Sequence, residues 1–380
     1  MGDKPNARRC EKKVRMKIIV TGTRGIPNIQ GGVETHCEEL YPRLVNLGCE
    51  VLLIRRSCYV LQNNKINSYR GIALKDLYAP KQKTFEAFLH TFLAVFYAKK
   101  AKADILHIHA IGPAIMTPLA RLLGLKVVVT HHGQDYNRYK WGKIAKVVLK
   151  TGERLSTKYA NELIVISEDI NTFIQQKYKR FNANLIHNGV NIPVKSPETT
   201  YIQSLDLTPQ KYIFTLGRFV KEKGFHGLIE AFTKLNTKEF KLVIAGDADH
   251  PDVYSENLKQ LAKENGVILT GFIKGEKLNE LFSNAKLFVL PSFHEGLPIS
   301  LLEAMSYDAD VLISDIPANL EVKLPDEYYF KCGNWDDLKN KMEEKLCQRE
   351  HIKYDLSRYN WDTIAEQTVV VYQRLVQNSH

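Results

Sequence analysis

Short runs of β-branched and apolar residues alternate along the chain with longer stretches whose apolar positions recur every three or four residues. The runs predict strands at 17–22, 50–56, 104–110, 126–132, 162–167 and 184–187 in the first half. Five more are predicted at 211–217, 241–246, 267–271, 287–292 and 310–315. Runs such as Val127-Val128-Val129 are apolar without alternation, as expected of strands covered on both faces of a parallel sheet. Strand followed by helix, repeated through both halves, predicts an α/β chain of two doubly wound, Rossmann-like domains. The turn residues Asn188-Gly189 and the prolines Pro193 and Pro197 mark the junction. The expected division is a disordered leader over 1–15, an N-terminal domain over 16–190 and a C-terminal domain over 191–358. A last helix within 359–380 carries Trp361, Ile364, Ala365, Thr368, Tyr372 and Leu375 at helical spacing, and is placed to pack back on the N-terminal domain. Another apolar stripe, Phe85, Phe88, Leu89, Phe92, Leu93, Phe96 and Tyr97, is expected to face the core rather than a membrane.

A length of 380 residues fits two domains, and no apolar stretch reaches the ~20 residues of a membrane span. Six cysteines without a CxxC pair argue against a disulfide framework or a zinc site and point to a reducing cytoplasm. Charge changes the picture more. Residues 1–190 carry a net +17 and residues 191–380 a net −6. Lys143, Lys146, Lys150, Arg154 and Lys158 recur at helical steps beside Ile144, Val148, Leu155 and Tyr159. A solvated basic face is the plain reading of that stripe. An anionic bilayer surface is a better-motivated partner than nucleic acid, for which no motif is present. The expected location is cytoplasmic, peripheral on the inner face of the cell membrane.

Ligands of open parallel sheets sit beyond the carboxyl ends of the strands. The first strand is followed by Gly22-Thr23-Arg24-Gly25 and then Gly31-Gly32 at the start of a helix, where backbone amides can approach a phosphate. The pattern is not GxGxxG, and Arg55-Arg56 follow the second strand where a dinucleotide site would place an acid, so a nicotinamide enzyme is disfavoured. In the second half, Arg218 and Lys223 flank the opening of a helix, where cations gain nothing from the helix dipole but would hold a diphosphate. Glu303, among Leu301, Leu302, Ala304 and Met305, needs hydrogen-bond donors such as ribose hydroxyls.

The segment PSFHEGLPISLLEAMS, with Glu295 and Glu303 eight residues apart, resembles the retaining glycosyltransferases of family 4. LGRFVKEKGFHGLIEAF, LVIAGD, LTGF and SDIPANLEV extend the resemblance, and GTRGIPNIQGGVETHCEEL is similar to the donor-facing loop of the family's bacterial envelope-polysaccharide members. The resemblance implies a GT-B fold, two Rossmann-like domains facing a central cleft. It implies transfer of a hexose from a nucleotide-sugar, with uridine as the first expectation for the base and guanosine or thymidine as alternatives, to a saccharide or polyprenyl-diphosphate-linked acceptor, without a cofactor. By position, Arg218 and Lys223 correspond to the pair that neutralises the donor diphosphate. Glu303 corresponds to the ribose-holding carboxylate and Glu295 to the one near the sugar hydroxyls. Gly31, Gly32, Gly296 and Leu297 correspond to amides on phosphate and sugar. The family histidine falls at His132, with His131 as the alternative, in a segment that continues to Asp135. The family's Gly-x-Pro before a strand is replaced here by Asp308-Ala309-Asp310.

That triplet and Asp247-Ala248-Asp249 raise the opposing reading of a metal-dependent GT-A transferase. Both fall inside segments that match family 4, and Arg218 and Lys223 supply the charge a metal would bring, so no metal is expected. A GT-B sugar-nucleotide 2-epimerase and a non-catalytic carbohydrate-binding scaffold are the remaining alternatives.

Overall fold

The computed structural model describes residues 16–82, 85–137, 142–236, 239–347 and 353–377; the expected leader lies outside them. The N-terminal sheet holds β1 (Lys17–Thr21), β2 (Glu50–Arg56), β3 (Ser68–Tyr69), β4 (Ile72–Leu77), β5 (Ile105–His109), β6 (Val127–His131), β7 (Glu162–Val165) and β8 (Asn184–Leu185). Its order is β3-β4-β2-β1-β5-β6-β7-β8, parallel except for the hairpin of β3 and β4. The C-terminal sheet holds β9 (Tyr212–Leu216), β10 (Lys241–Ala245), β11 (Ile268–Gly271), β12 (Leu287–Leu290), β13 (Val311–Ser314) and β14 (Tyr329–Phe330). Its order is β11-β10-β9-β12-β13-β14, parallel throughout. In both sheets the order reverses beside the first strand, and the crevice that opens there faces the other domain. This is the GT-B architecture.

Alternation along the N-terminal strands divides the helices between two faces. Ile18, Val20, Val51 and Leu53 pack under α1 (Gly32–Asn46). Ile19, Ile54, Leu106, Ile108 and Val129 pack under α2 (Phe85–Lys100), α3 (Thr117–Leu122) and α5 (Glu168–Tyr178). The amphipathic α4 (Lys143–Tyr159) lies beside α3 on that second face. Beyond the short α6 (Thr200–Ser204), α7 (Phe225–Thr233), α8 (Val253–Glu264), α9 (Glu276–Asn284), α10 (Ile299–Ser306), α11 (Pro317–Leu320) and α12 (Trp335–Cys347) cover the C-terminal sheet. Finally α13 (Trp361–Gln377) returns across the junction and buries Trp361, Ile364, Ala365, Val371 and Tyr372 against α1. No described helix is long and apolar enough to cross a membrane.

Three features depart from the sequence reading. The strand β4, next to the short edge strand β3, is not among those predicted, because Ile72 and Leu74 alternate with exposed Ala73 and Lys75 instead of forming a continuous apolar run. The short β3 and β14 escaped for want of length. The phenylalanine stripe of α2 is not core. Phe85, Phe88, Phe92 and Phe96 are exposed, while Ala94, Val95 and Ala98 turn inward. Small residues let the helix lie close to the sheet, and Glu86 on the same inner side pairs with buried Arg56 at 2.6 Å. Asp308, where the family has glycine, adopts φ 49°, a left-handed conformation that aspartate tolerates, and pairs with Lys195.

The return of α13 depends on a close fit. A Cβ added to Gly189 would lie 2.5 Å from the Trp361 ring. Trp361→Ala should therefore cost about 3–5 kcal/mol of stability, read as a lowered urea midpoint. An unchanged midpoint would show that α13 contributes little to holding the domain.

Candidate active site

Between the sheets lies a cavity of about 840 Å³. Gly31, Gly32, His132 and Asp135 line it from the N-terminal domain, and Arg218, Lys223, Glu295, Gly296, Leu297 and Glu303 from the C-terminal domain. The two walls touch through backbone. A Cβ on Gly296 would lie 2.1 Å from the His132 carbonyl oxygen, so only glycine permits this approach. Asn188, at the junction, donates to the Leu297 carbonyl at 2.8 Å and shares a hydrogen bond with His36 Nδ1 at 3.0 Å.

The cations are held by carboxylates. Asp249 accepts from Arg218 Nη1 at 3.1 Å and meets Arg24 Nη1 of the other domain at 2.6 Å. Burial pushes the Asp249 carboxyl up, but the two guanidinium groups outweigh it and leave it below the ordinary range. Burial alone would lower the Arg24 pKa, yet Glu34 and Asp249 raise it, so the guanidinium stays charged. Lys223 Nζ lies 2.5 Å from Glu295 Oε1, which also accepts from Ser292 Oγ at 2.6 Å. Burial raises the Glu295 carboxyl, and Lys223 and Ser292 more than reverse the shift.

Glu303 differs. Its carboxylate makes no hydrogen bond to a described residue, and burial lifts its pKa to about 7, with Lys274 opposing and Glu39 adding to the rise. A carboxylate facing a cavity without donors is a site for hydroxyl groups.

The N-terminal wall is built from neutral imidazoles. His132 faces the cavity and shares a 2.8 Å hydrogen bond with His109 Nδ1. His131 turns the other way, bonding Glu153 at 3.1 Å inside the domain. The alternation of β6 thus separates the two. His109 and His107 both bond the Tyr41 hydroxyl, and His107 also meets the Tyr372 hydroxyl at 2.6 Å. Burial lowers His36 to about 4 and His107 to about 3, and takes His109 and His132 well below the usual value.

Neither aspartate triplet converges on one point. Asp247 pairs with Lys259 at 3.0 Å while Asp249 faces the arginines, and Asp308 and Asp310 pair with Lys195 and Lys345. Among the described residues, His36, His109 and His132 come close enough to share an ion. The hydrogen bond between His109 and His132 already uses one nitrogen of each.

Several cleft residues were not singled out from the sequence. In the sequence Arg24 is simply part of the loop after β1, and Asp249 one of the two aspartates of a triplet. Lys274, which reaches Glu38 of the other domain at 2.8 Å, and His250, which meets Tyr59 at 3.0 Å, carry no local signal. Their partners lie some 190 to 240 residues away.

Comparison with known proteins agrees with this architecture. Residues 30–193 match Glycosyltransferase Family 4, and residues 198–358 match Glycosyl transferases group 1. The chain belongs to the family 4 glycosyltransferases. An uncharacterised glycosyltransferase of Methanocaldococcus jannaschii is 26% identical over 94% of this chain and 98% of its own length. The N,N'-diacetylbacillosaminyl-diphospho-undecaprenol α-1,3-N-acetylgalactosaminyltransferase of Campylobacter jejuni is 24% identical over 62% of this chain and 66% of its own. Among solved structures, sucrose-phosphate synthase from Thermosynechococcus elongatus superposes with a TM-score of 0.82 at 20% identity, covering 96% of this chain and all of that one. Anabaena HepE in complex with UDP-glucose gives 0.73 at 18% identity over 96% and 99%.

The imidazole cluster has a consequence in acid. Histidine ordinarily titrates near 6.5, and a folded value below that stabilises the fold above pH ~6.5 and is lost as pH falls toward the folded value. The melting temperature should drop between pH 6.5 and about 4, where His36 titrates. A flat profile across that window would contradict a neutral buried cluster.

Proposed function

We propose that the protein is a retaining, metal-independent hexosyltransferase of cell-envelope polysaccharide synthesis. Its donor is a nucleoside-diphosphate sugar, with uridine as the base, and its acceptor a saccharide linked to a lipid diphosphate. The observation that carries this is the placement of Arg218 and Lys223 in one cavity with the amino ends of α1 and α10. Both cations and both helix ends favour a diphosphate. The Campylobacter relative, named for transfer to a diphospho-undecaprenol-linked sugar, supports the acceptor class. The UDP-glucose complex of HepE supports uridine.

In this reading the bond from the anomeric carbon to the phosphate oxygen breaks with its electron pair staying on phosphate. Arg218, Lys223 and the amides of Gly31-Gly32 and Gly296-Leu297 stabilise that charge, and being already in place they need no reorganisation. The acceptor oxygen attacks the same face of the sugar, and its proton passes to the departing phosphate, so no protein base is required. Glu295 and His132 orient the sugar hydroxyls, Asp135 extends the substrate wall, and Glu303 accepts from the ribose. Closure of the walls excludes water from the oxocarbenium-like sugar.

Arg218→Ala and Lys223→Ala should each lower turnover about 100-fold or more, measured as donor hydrolysis or transfer. Wild-type rates with unchanged nucleotide affinity would refute the roles assigned. Product analysis with donor alone tests the epimerase alternative, which requires an epimerised sugar.

Glu303 generates a separate prediction. Ribose hydroxyls bond the ionised carboxylate, so nucleotide affinity should rise as pH climbs through about 7. In the free protein the raised pKa contributes stability present below about 4.3 and lost as pH rises through 7. Glu303→Gln should weaken nucleotide binding by about 10-fold or more and abolish its pH dependence, while leaving the free protein no less stable at pH 8. Thermal-shift titration over pH 6–8 checks both.

A further inference from the structure

The loops that follow β1, β9 and β10 meet at one end of the cleft. Gly217 and Gly246 follow β9 and β10, and Gln30, from the loop after β1, brings its Nε2 to 3.0 Å from where a Cβ on Gly246 would stand. Arg24 lies in that same loop, nearly buried, and three contacts set its direction. Glu34, in the first turn of α1, accepts from the Arg24 amide at 3.0 Å and lies 3.7 Å from its Nε. The Tyr59 ring centre lies 5.5 Å from the guanidinium carbon. Nη2 then passes beside Gly31, 3.4 Å from where a Cβ there would stand. The transferase reading puts the Gly31 amide on the donor diphosphate, so a held guanidinium of the N-terminal domain faces the place of the leaving group.

The outer end of this guanidinium is satisfied by Asp249. The carboxylate divides its oxygens between the domains, Oδ1 to Arg24 and Oδ2 to Arg218. An anion that joins two guanidinium groups with one oxygen each stands where a phosphate could bridge them. It brings one charge where a diphosphate brings at least two, so it is the weaker partner. Asp249 is also the member that can leave. Its side chain is 18% exposed, on the loop between β10 and Asp252, which caps α8, so it can turn to solvent while both sheets stay in place.

We propose that Asp249 is a placeholder for the donor's diphosphate: the donor displaces it and takes over both arginines, which makes Arg24 a third cation on the leaving group, the one contributed by the N-terminal domain. Resting on the transferase reading, this ties charge stabilisation to closure, because the third cation reaches the phosphate only while the two walls are together.

The test is calorimetric titration with inorganic pyrophosphate in metal-free buffer, a probe independent of base and sugar. Arg24→Ala should weaken binding about 10-fold or more, as a lost hydrogen bond to a charged group does, and lower donor hydrolysis about 100-fold. Arg24→Lys, which keeps the charge but not the fork, should recover part of both. Asp249→Asn should tighten pyrophosphate binding about 10-fold by removing the charged competitor, and Arg24→Ala on that background should remove most of the gain. Melting temperatures report folding, and Arg24→Lys with Asp249→Asn carry the test should Arg24→Ala not fold. Unchanged pyrophosphate affinity in Arg24→Ala overturns the proposal. So does weaker binding in Asp249→Asn, which would make Asp249 a brace for Arg218. Arg218→Ala separates the two readings: pyrophosphate binding lost there but intact in Arg24→Ala sinks this proposal and leaves the transferase reading standing, whereas no binding by the unaltered protein overturns both.

Discussion

Two carboxylates stand between the cleft and an excess of positive charge. Asp249 is gripped by an arginine from each domain, and Glu295 by Lys223 and Ser292. Leaving one member of such a pair buried alone costs about 3–5 kcal/mol, so the empty site requires these acids as much as the cations require them. The cations are therefore fixed before any ligand arrives. A diphosphate bound there, as proposed, would exchange one anionic partner of Arg218 and Lys223 for another and would not have to order two flexible side chains. That is the condition under which electrostatic stabilisation of a leaving group is most effective.

The same arrangement ties the domains together by polar contacts that water or ligand can replace. Arg24 reaches Asp249, Tyr59 reaches His250, Lys274 reaches Glu38, and the Glu168 amide reaches Glu321. Contacts of this kind resemble transient interfaces and allow relative motion. The backbone contact between Gly296 and His132 sets how far the walls can close. Asn188 lies at the junction with one hydrogen bond to each side.

Much of this was legible in the sequence, for identifiable reasons. Central strands such as β6 and β12 are apolar on both faces and announce themselves; β4, near the sheet's edge, is covered on one face only and does not. The α2 periodicity showed which residues share a side but not which side faces inward. Size decided that: alanines allow the close approach that phenylalanines would prevent. At the site, Arg218, Lys223, Glu295 and Glu303 stand within short segments whose spacing is itself the signal. Arg24 and Asp249 are separated by more than 200 residues, and only the fold makes them one group. Asp247 and Asp249 likewise have different partners, Lys259 and the two arginines, which their closeness in sequence does not reveal.

The two walls differ in a way that fits their proposed tasks. The C-terminal wall concentrates full charges. The N-terminal wall carries imidazoles that burial and mutual repulsion keep neutral. A protonated His132 would compete with Arg218 and Lys223 for the developing negative charge and would pull it toward the acceptor side. Neutrality there leaves the strongest field at the phosphate end of the cavity. A neutral ring can still exchange hydrogen bonds with hydroxyl groups through the nitrogen that does not bond His109. The chain of bonds running on through His109, Tyr41, His107 and Tyr372 then acquires a purpose. It satisfies every member without a net charge, and it extends that restraint from the cleft to α13, the segment that arrives from beyond the other domain.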